Sequence, residues 1–388
     1  MCSISNDLLV EIFSRLPAKS IRRFRCVSKL WCSMYHCPYF TELFLTRSSA
    51  RPRLLFAVHE YHKDEWSFYS SPQPQNPNDK SSSLVVDVGF RLKFAKDTWS
   101  HFCGYASGLI CFRRMSSPSE EDKGTVHVIC NPSTGQYEIL PKLGGDKNNS
   151  RSFLGFDPID KQIKVLFVGA DSSCYDGEFR ILTLGTAKLS WKKIQCPSTH
   201  KTSSLRGICI DGVLYYIAYD ETFYKKMIVC FDVRSERFKF LEGEDLYDQL
   251  INYKGKLGAC KVYYADASNG RRTLEFLVGV TATGEIVLSM RESSKPFNVF
   301  YFNPERNNLQ SFEIQGKHEE GLAFCRNSVY AFVDHVEDLK FIVMKTTSIS
   351  SPEEKHRPKT TANHVITVAH QQQDRRAFKR INKTKQYR

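Results

Sequence analysis

No stretch of this sequence stays apolar for anything near the roughly 20 residues that a membrane-spanning helix needs. A helical membrane protein is therefore excluded, and no membrane partner is expected. The opening MCSISNDLLVEIF lacks a basic flank and carries Asp7 and Glu11 within its apolar part, unlike a secretory leader. Paired cysteines are missing too: 13 cysteines are scattered singly, with no Cys-x-x-Cys among them. Zinc sites need ligand pairs at short spacing, so no metal is expected. Cys26, Cys32 and Cys37 beside His36 come nearest, but they sit among helical core positions. Unpaired cysteines fit reduced thiols and a location in the nucleus or cytoplasm.

Catalytic signatures are equally absent. There is no Gly-x-Ser-x-Gly elbow and no phosphate-cradling glycine loop ahead of a helix. GVTATGEI is glycine-bearing but follows a strand pattern. His101, His127 and His200 lie in or beside strand-like runs with no partnered nucleophile placed by the sequence. Asp157, Asp211 and Asp232 read as turn formers, and Trp191 as packing. No cofactor is expected. The net charge of +13 is uneven, because residues 351–388 hold ten Lys/Arg against three acids. The body is only mildly basic, and the tail reads as a solvated, disordered end. Its alternative readings are an import signal or a nucleic-acid patch.

What is present divides in two. In the first forty residues Leu8, Leu9, Ile12, Phe13 and Leu16 recur at helical spacing over an arc of about 140°. Ser5 is expected to cap that helix and Pro17 to stop it. Ser20 is expected to cap a second helix carrying Ile21, Phe24 and Val27, and Ser28 or Lys29 to open a third with Leu30 and Trp31. Pro38 closes the third, and Thr41 caps one more turn. Fewer than about 40 residues rarely fold stably alone, so the spare apolar stripe argues for a partner surface, against a plain bundle packed on its own chain.

From Leu84 onward, apolar strands alternate with turns of two kinds. Asn131, Asp157, Asp232 and Asn303 open one kind; Ser107-Gly108, Asp211-Gly212 and Thr283-Gly284 form the other. An x-Gly turn precedes an Asp/Asn turn by 24, 21 and 20 residues in three successive instances. Four-stranded propeller blades give that beat, five to seven of them at about 40–50 residues each. A β-sandwich of similar strand count fits the same turns.

The run SRLPAKSIRRFRCVSKLWCSM, with PYFTELFLTRSSARPRLLF after it, resembles a plant F-box. NPSTGQYEIL, SWKKIQCPSTH, GICIDGVLYYIAY, IVCFDVRSERFKF, LINYKGKLGAC, GVTATGEIVLS and FNPERNNLQSFEIQG resemble the plant F-box-associated, kelch-like domain. The resemblance implies an α+β multidomain chain: F-box helices over 1–46, hinge and loop over 47–83, a propeller-like domain over 84–345 and a tail over 346–388. It implies a substrate-recognition subunit of an SCF-type ubiquitin ligase, not itself an enzyme. Docking on a Skp-type adaptor, and through it a cullin, would use Ile4, Leu8, Ile12, Leu16, Pro17, Ile21, Phe24, Val27 and Trp31. The usual Leu-Pro opening is Ile4-Ser5 here. The protein substrate is not legible; Ser116–Lys123, Lys142–Ser150 and Asp171–Gly177 are candidate loops. Alternatives of other classes are a propeller glycan-processing hydrolase, which needs paired carboxylates, and an RNA-binding protein using the tail.

Overall fold

The computed structural model describes residues 5–60, 64–74, 83–94, 98–116, 124–143, 150–169, 178–203, 206–220, 225–242, 249–260, 276–289, 297–316, 328–341 and 385–386. Four short helices come first. In α1 (Asn6–Phe13) the Leu8 N–H donates to Ser5 Oγ at 3.3 Å, and Asp7 sits in the first turn where the dipole favours an acid. α2 (Ala18–Phe24) begins directly after Pro17, not at Ser20 as expected. Pro17 holds an extended backbone with φ of −62°, so its successor is already helical. α3 (Lys29–Met34) follows Ser28. Pro38 opens α4 (Pro38–Ser49), where its missing N–H costs nothing. Thr41, expected as a cap, lies inside α4 and donates its hydroxyl to Pro38 O at 2.9 Å. Phe13 is the hub of this module, with ring centroids of Phe24, Trp31 and Tyr35 at 5.3, 4.9 and 5.5 Å. Each such ring pair contributes about 0.5–1.5 kcal/mol beyond its buried area.

The stretch 47–83, read from sequence as hinge and loop, is mostly ordered structure. α4 runs to Ser49, and β1 (Arg53–Glu60) and β2 (Glu65–Pro72) follow at once. The β domain therefore starts at Arg53 and not at Leu84. Leu54, Phe56 and Val58 enter one core cluster while Leu55 and Ala57 enter another. LLFAVHE reads as a strand-like run in the sequence, but a strand buried on both faces has no polar alternation to tie it to a particular sheet.

β3 (Ser83–Lys93) pairs with β2. A second blade is β4 (Thr98–Ala106), β5 (Leu109–Ser116), β6 (Thr125–Asn131) and β7 (Gln136–Ile139). A third is β8 (Arg151–Asp157), β9 (Gln162–Gly169), β10 (Glu178–Thr183) and β11 (Lys192–Ile194). In the fourth, β12 (His200–Thr202) and β13 (Ile208–Ile210) share the neighbour β14 (Val213–Asp220), followed by β15 (Lys226–Asp232) and β16 (Arg237–Glu242). The fifth shows the hairpin β17 (Gln249–Tyr253) and β18 (Lys256–Cys260). The sixth is β19 (Phe276–Val280), β20 (Ile286–Ser289), β21 (Asn298–Asn303) and β22 (Asn308–Gly316). β23 (Ser328–His335) then pairs antiparallel with β1 and becomes the innermost strand of the first blade. β24 (Lys385–Gln386) lies beside β18.

The inner strands touch in a ring: β4 with β8, β8 with β13, β13 with β17, β17 with β19, and β19 with β23. Phe102 on β4 meets Tyr330 on β23 at 4.8 Å and closes the circle. The described strands thus form a six-bladed propeller, and the sandwich alternative does not hold. At the rim, β22 runs parallel to β3, with Glu313 to Gly316 opposite Ser83 to Val86.

The turns carry the expected repeat. Asn131, Asp157, Asp232 and Asn303 each accept a backbone N–H two or three residues on, at 2.7–3.3 Å. The fourth residue on (Gly135, Lys161, Glu236, Asn307) has a positive φ in all four. Short Asp and Asn side chains favour this local bond over a strand ladder. Ser107-Gly108 and Asp211-Gly212 have positive φ at both positions, the hairpin turn whose twist matches the strands, and Lys254-Gly255 adds a third.

Three histidines are locked neutral between blades. His127 faces Ser152 Oγ at 2.7 Å, His200 faces Tyr216 OH at 2.8 Å, and His335 lies between Tyr105 OH at 3.0 Å and Ser133 Oγ at 3.1 Å. Burial pushes His127 and His335 down to about 3 and His200 to about 4. These folded values lie below the unfolded one, so the stability is fully present above about pH 6.5. It is lost as the pH falls towards 4, at up to about 1.4 kcal/mol per pH unit for each histidine. Thermal melts between pH 7 and pH 5 are expected to show a falling Tm, and His200→Gln to flatten that slope.

Candidate functional site

The helical module leaves an apolar surface. Among the described residues ten large apolar side chains are exposed, and five of them (Leu8, Ile12, Val27, Leu30 and Tyr39) lie in the first 39 residues. Exposed apolar groups scattered singly are ordinary, but here half of the ten fall within a tenth of the chain. Leu8 is 56%, Ile12 47% and Val27 67% exposed. Of the other residues expected to face a partner, Ile21 is 1% exposed and belongs to the module core. That is a correction: Ile21 lies one turn on from Ala18 on the same face of α2, and that face is the one turned into the module core. Leu16, Phe24 and Trp31 are half-buried against the same core. Pro17 is exposed but lines a cleft on the propeller side. Ile4 lies outside the described residues. The periodicity did not single out Leu30, although it is 55% exposed.

A second surface of the module is fixed to the propeller. The chain leaves α4 directly into β1, and β23 ends beside the start of β1, with Arg53 opposite His335. The residues after β23 then run back across the helices. Glu337 Oε2 accepts the Ala18 N–H at 3.2 Å, and Leu339 packs into the module core. Asn131 Nδ2 donates to Asp338 O at 2.8 Å and to Lys340 O at 3.2 Å. Phe341 packs against the core between the second and third blades. Residues 336–341 therefore strap module to ring. Arg22 adds a bond to Gly89 O at 3.0 Å and one to Thr134 O at 3.5 Å. Burial raises the Glu337 carboxyl above its usual range, and Arg53 opposes that at 4.0 Å.

Among the described residues the remaining titratable groups do not assemble a reactive centre. Cys196 Sγ lies 4.0 Å from His200 Nδ1, but burial pushes the thiol up to about 11 and the imidazole down to about 4. Both partners are neutral, the reverse of an activated thiolate–imidazolium pair. His59, Asp64 and Ser100 also meet, a grouping that spacing did not reveal. Asp64 Oδ1 at 2.9 Å and Ser100 Oγ at 3.3 Å approach the same His59 Nε2, and Ser100 donates directly to Asp64 at 2.7 Å. A relay needs the acid and the hydroxyl on opposite ring nitrogens, so this is a buried structural network under Trp66. Among the described residues no three His, Cys, Asp or Glu side chains gather as metal ligands, and no helix is long and apolar enough to cross a membrane. The candidate loops at 117–123, 144–149 and 171–177, and the tail apart from 385–386, lie outside the described residues.

Comparison with known proteins places both halves. The family model described as "F-box domain" matches residues 1–34, and "F-box associated beta propeller domain" matches 53–274 and 260–336. F-box protein At3g57590 of Arabidopsis thaliana is 46% identical over 91% of this chain and 95% of its own length. F-box protein At1g67130 of the same organism is 42% identical over 98% of this chain and 92% of its own. Among solved structures, the β-propeller domain of the Trilobed protease from Pyrococcus furiosus is similar with a TM-score of 0.34 and 14% identity, over 56% of this chain and 72% of that one.

The strap sets the relation of helices to ring. Asn131→Ala removes both turn bonds and both strap bonds, a loss of about 1–3 kcal/mol. Leu339→Asp puts a charge into the module core. Calorimetry of either variant is expected to show the helical module melting ahead of the propeller, where the parent melts in one transition.

Proposed function

Because the chain belongs to the family of F-box proteins that carry an F-box associated beta propeller domain, we propose that it is the substrate-recognition subunit of an SCF-type cullin ubiquitin ligase. In this reading the helical module docks on a Skp-type adaptor and the propeller holds a protein for ubiquitin transfer. The chain supplies binding and orientation; its partners supply the bond-making groups. The observation that carries the reading is the exposure of Leu8, Ile12, Val27 and Leu30 on the short helical module. Burying each contributes roughly 1.5–3 kcal/mol, enough together for a stable interface. The seam to the propeller is made chiefly of cations, carbonyls and one carboxylate, so it does not compete for that apolar surface. Half-buried Phe24 and Trp31 support the surface from beneath, because both rest on Phe13.

Leu8→Asp with Ile12→Asp separates docking from folding, since both side chains are exposed. The double variant is expected to lose co-purification with a Skp-type adaptor while its melting temperature stays within a few degrees of the parent. Retained co-purification sinks the named surface. Failure of the parent chain itself to bind any Skp-type adaptor sinks the ligase reading. Ile21→Asp, in contrast, is expected to unfold the module.

A further inference from the structure

An unpaired strand edge presents a row of N–H and C=O groups that water or another strand must satisfy. In the second, third, fourth and sixth blades the next strand along the chain does this: β6 beside β5, β10 beside β9, β15 beside β14 and β21 beside β20. The fifth blade differs. Among the described residues, the strand beside β18 is β24, which comes from the basic end of the chain. It runs antiparallel, with Lys385 opposite Ala259 and Gln386 opposite Gly258.

The hairpin decides which groups of β18 face that way. Lys254-Gly255 is a two-residue turn with positive φ at both positions, so Tyr253 and Lys256 form the first hydrogen-bonded pair of the ladder. By the alternation of an antiparallel ladder, Gly258 opposite Ile251 is the next such pair. The N–H and C=O of Leu257 and Ala259 therefore point away from β17. Ala259 meets Lys385 there, whereas Leu257 lies outside the two pairs that β24 makes. The side chains of Leu257 and Ala259 are buried in the core between the fourth and fifth blades, and Gly258 has none. What the edge offers an incoming strand is main chain.

We propose that the outer edge of β18 is a docking site for an extended peptide strand, and that the end of this chain is its resident occupant. Recognition through the main chain asks for an extended segment with a free N–H opposite Ala259, and it tolerates different side chains. A two-residue ladder holds weakly, and tethering to the same chain keeps it populated. An extended segment that also pairs with Leu257 makes more ladder bonds and displaces the tail. The tail thus closes the edge to casual strand pairing while leaving it open to a better strand. The inference stands apart from the ligase reading, since no adaptor enters the measurement.

Amide hydrogen exchange of the full chain, read at Gly258 and Ala259, tests it. Lys385→Pro removes the N–H that faces the Ala259 carbonyl, and is expected to speed exchange at Ala259 at least about tenfold with Gly258 unchanged. Lys385→Ala keeps the main chain and is expected to leave both at the parent rates. In a chain shortened to end at Arg380, the peptide INKTKQYR (residues 381–388) is expected to restore Ala259 protection saturably. It is expected to bind the shortened chain at least about tenfold more tightly than the full chain, where the tail competes. If the shortened chain fails to fold, the full-length Lys385→Pro chain serves as the acceptor. Unchanged exchange at Ala259, an equal loss in Lys385→Ala and Lys385→Pro, or absence of saturable peptide binding overturns the proposal. Protection in the parent that falls on dilution identifies the tail of a second copy as the occupant, and overturns the assignment to the same chain.

Discussion

The pairing of β23 with β1 is the constraint on which the rest depends. A propeller blade buries neither of its faces alone, so each needs a neighbour on both sides. The ring must therefore close, and here it closes by lending a strand from residues 328–335 to a blade whose other strands lie near the front of the chain. Leu55 to His59 face Ser328 to Phe332 across that ladder. The apolar clusters on either side of the first blade include Val329 and Ala331 on one face and Tyr330 and Phe332 on the other. Opening this one ladder would expose both clusters. The parallel contact of β22 with β3 joins the sixth blade to the first at the rim, so the first blade is tied to the end of the ring at both its edges.

Closure also explains the seam. Once β23 is seated, its C-terminal end lies beside the entry from the helices, and residues 336–341 have nowhere to go but across the module. Glu337 and Leu339 reach Ala18 and the Phe13 core because ring geometry brings positions more than 300 residues apart to one place. A helical module with so few residues has a thin core, and Leu339 adds an apolar group that its own sequence lacks. Folding of the module and closure of the ring are thereby coupled.

How much of this was legible in the sequence follows from the range of the forces. The Asp/Asn and x-Gly turns were readable because their chemistry is complete within five residues, as Asn131 bonding Ser133 and Thr134 illustrates. Ring architecture followed from their regular recurrence. LLFAVHE reads as a strand-like run, but the recurring Asp/Asn and x-Gly turns begin only after it, so the β domain was expected to start at Leu84. Ile21 was assigned outward by the family resemblance, which carries positions over without showing which of them this module buries in its own core. The strap was invisible, since no local signal joins Ala18 to Glu337. The His59–Asp64–Ser100 network was hidden for the same reason, although its His and Asp are only five residues apart.

The module ends with three differently used surfaces, and their chemistry follows from what each must do. The interior is aromatic and packed around Phe13, which gives a compact shape to few residues. The side toward the ring has Arg22 and the α2 backbone against carbonyls and Glu337, contacts with directional geometry that fix an angle between the two parts. Apolar contacts alone would hold the parts together without fixing that angle, because the hydrophobic effect has no direction. The third side keeps Leu8, Ile12, Val27 and Leu30 in water, at a cost that a partner would remove. In the proposed reading, a receptor that must present its cargo at a set distance from a separate catalytic machine would use this division: an oriented polar joint, and exposed apolar side chains for a partner.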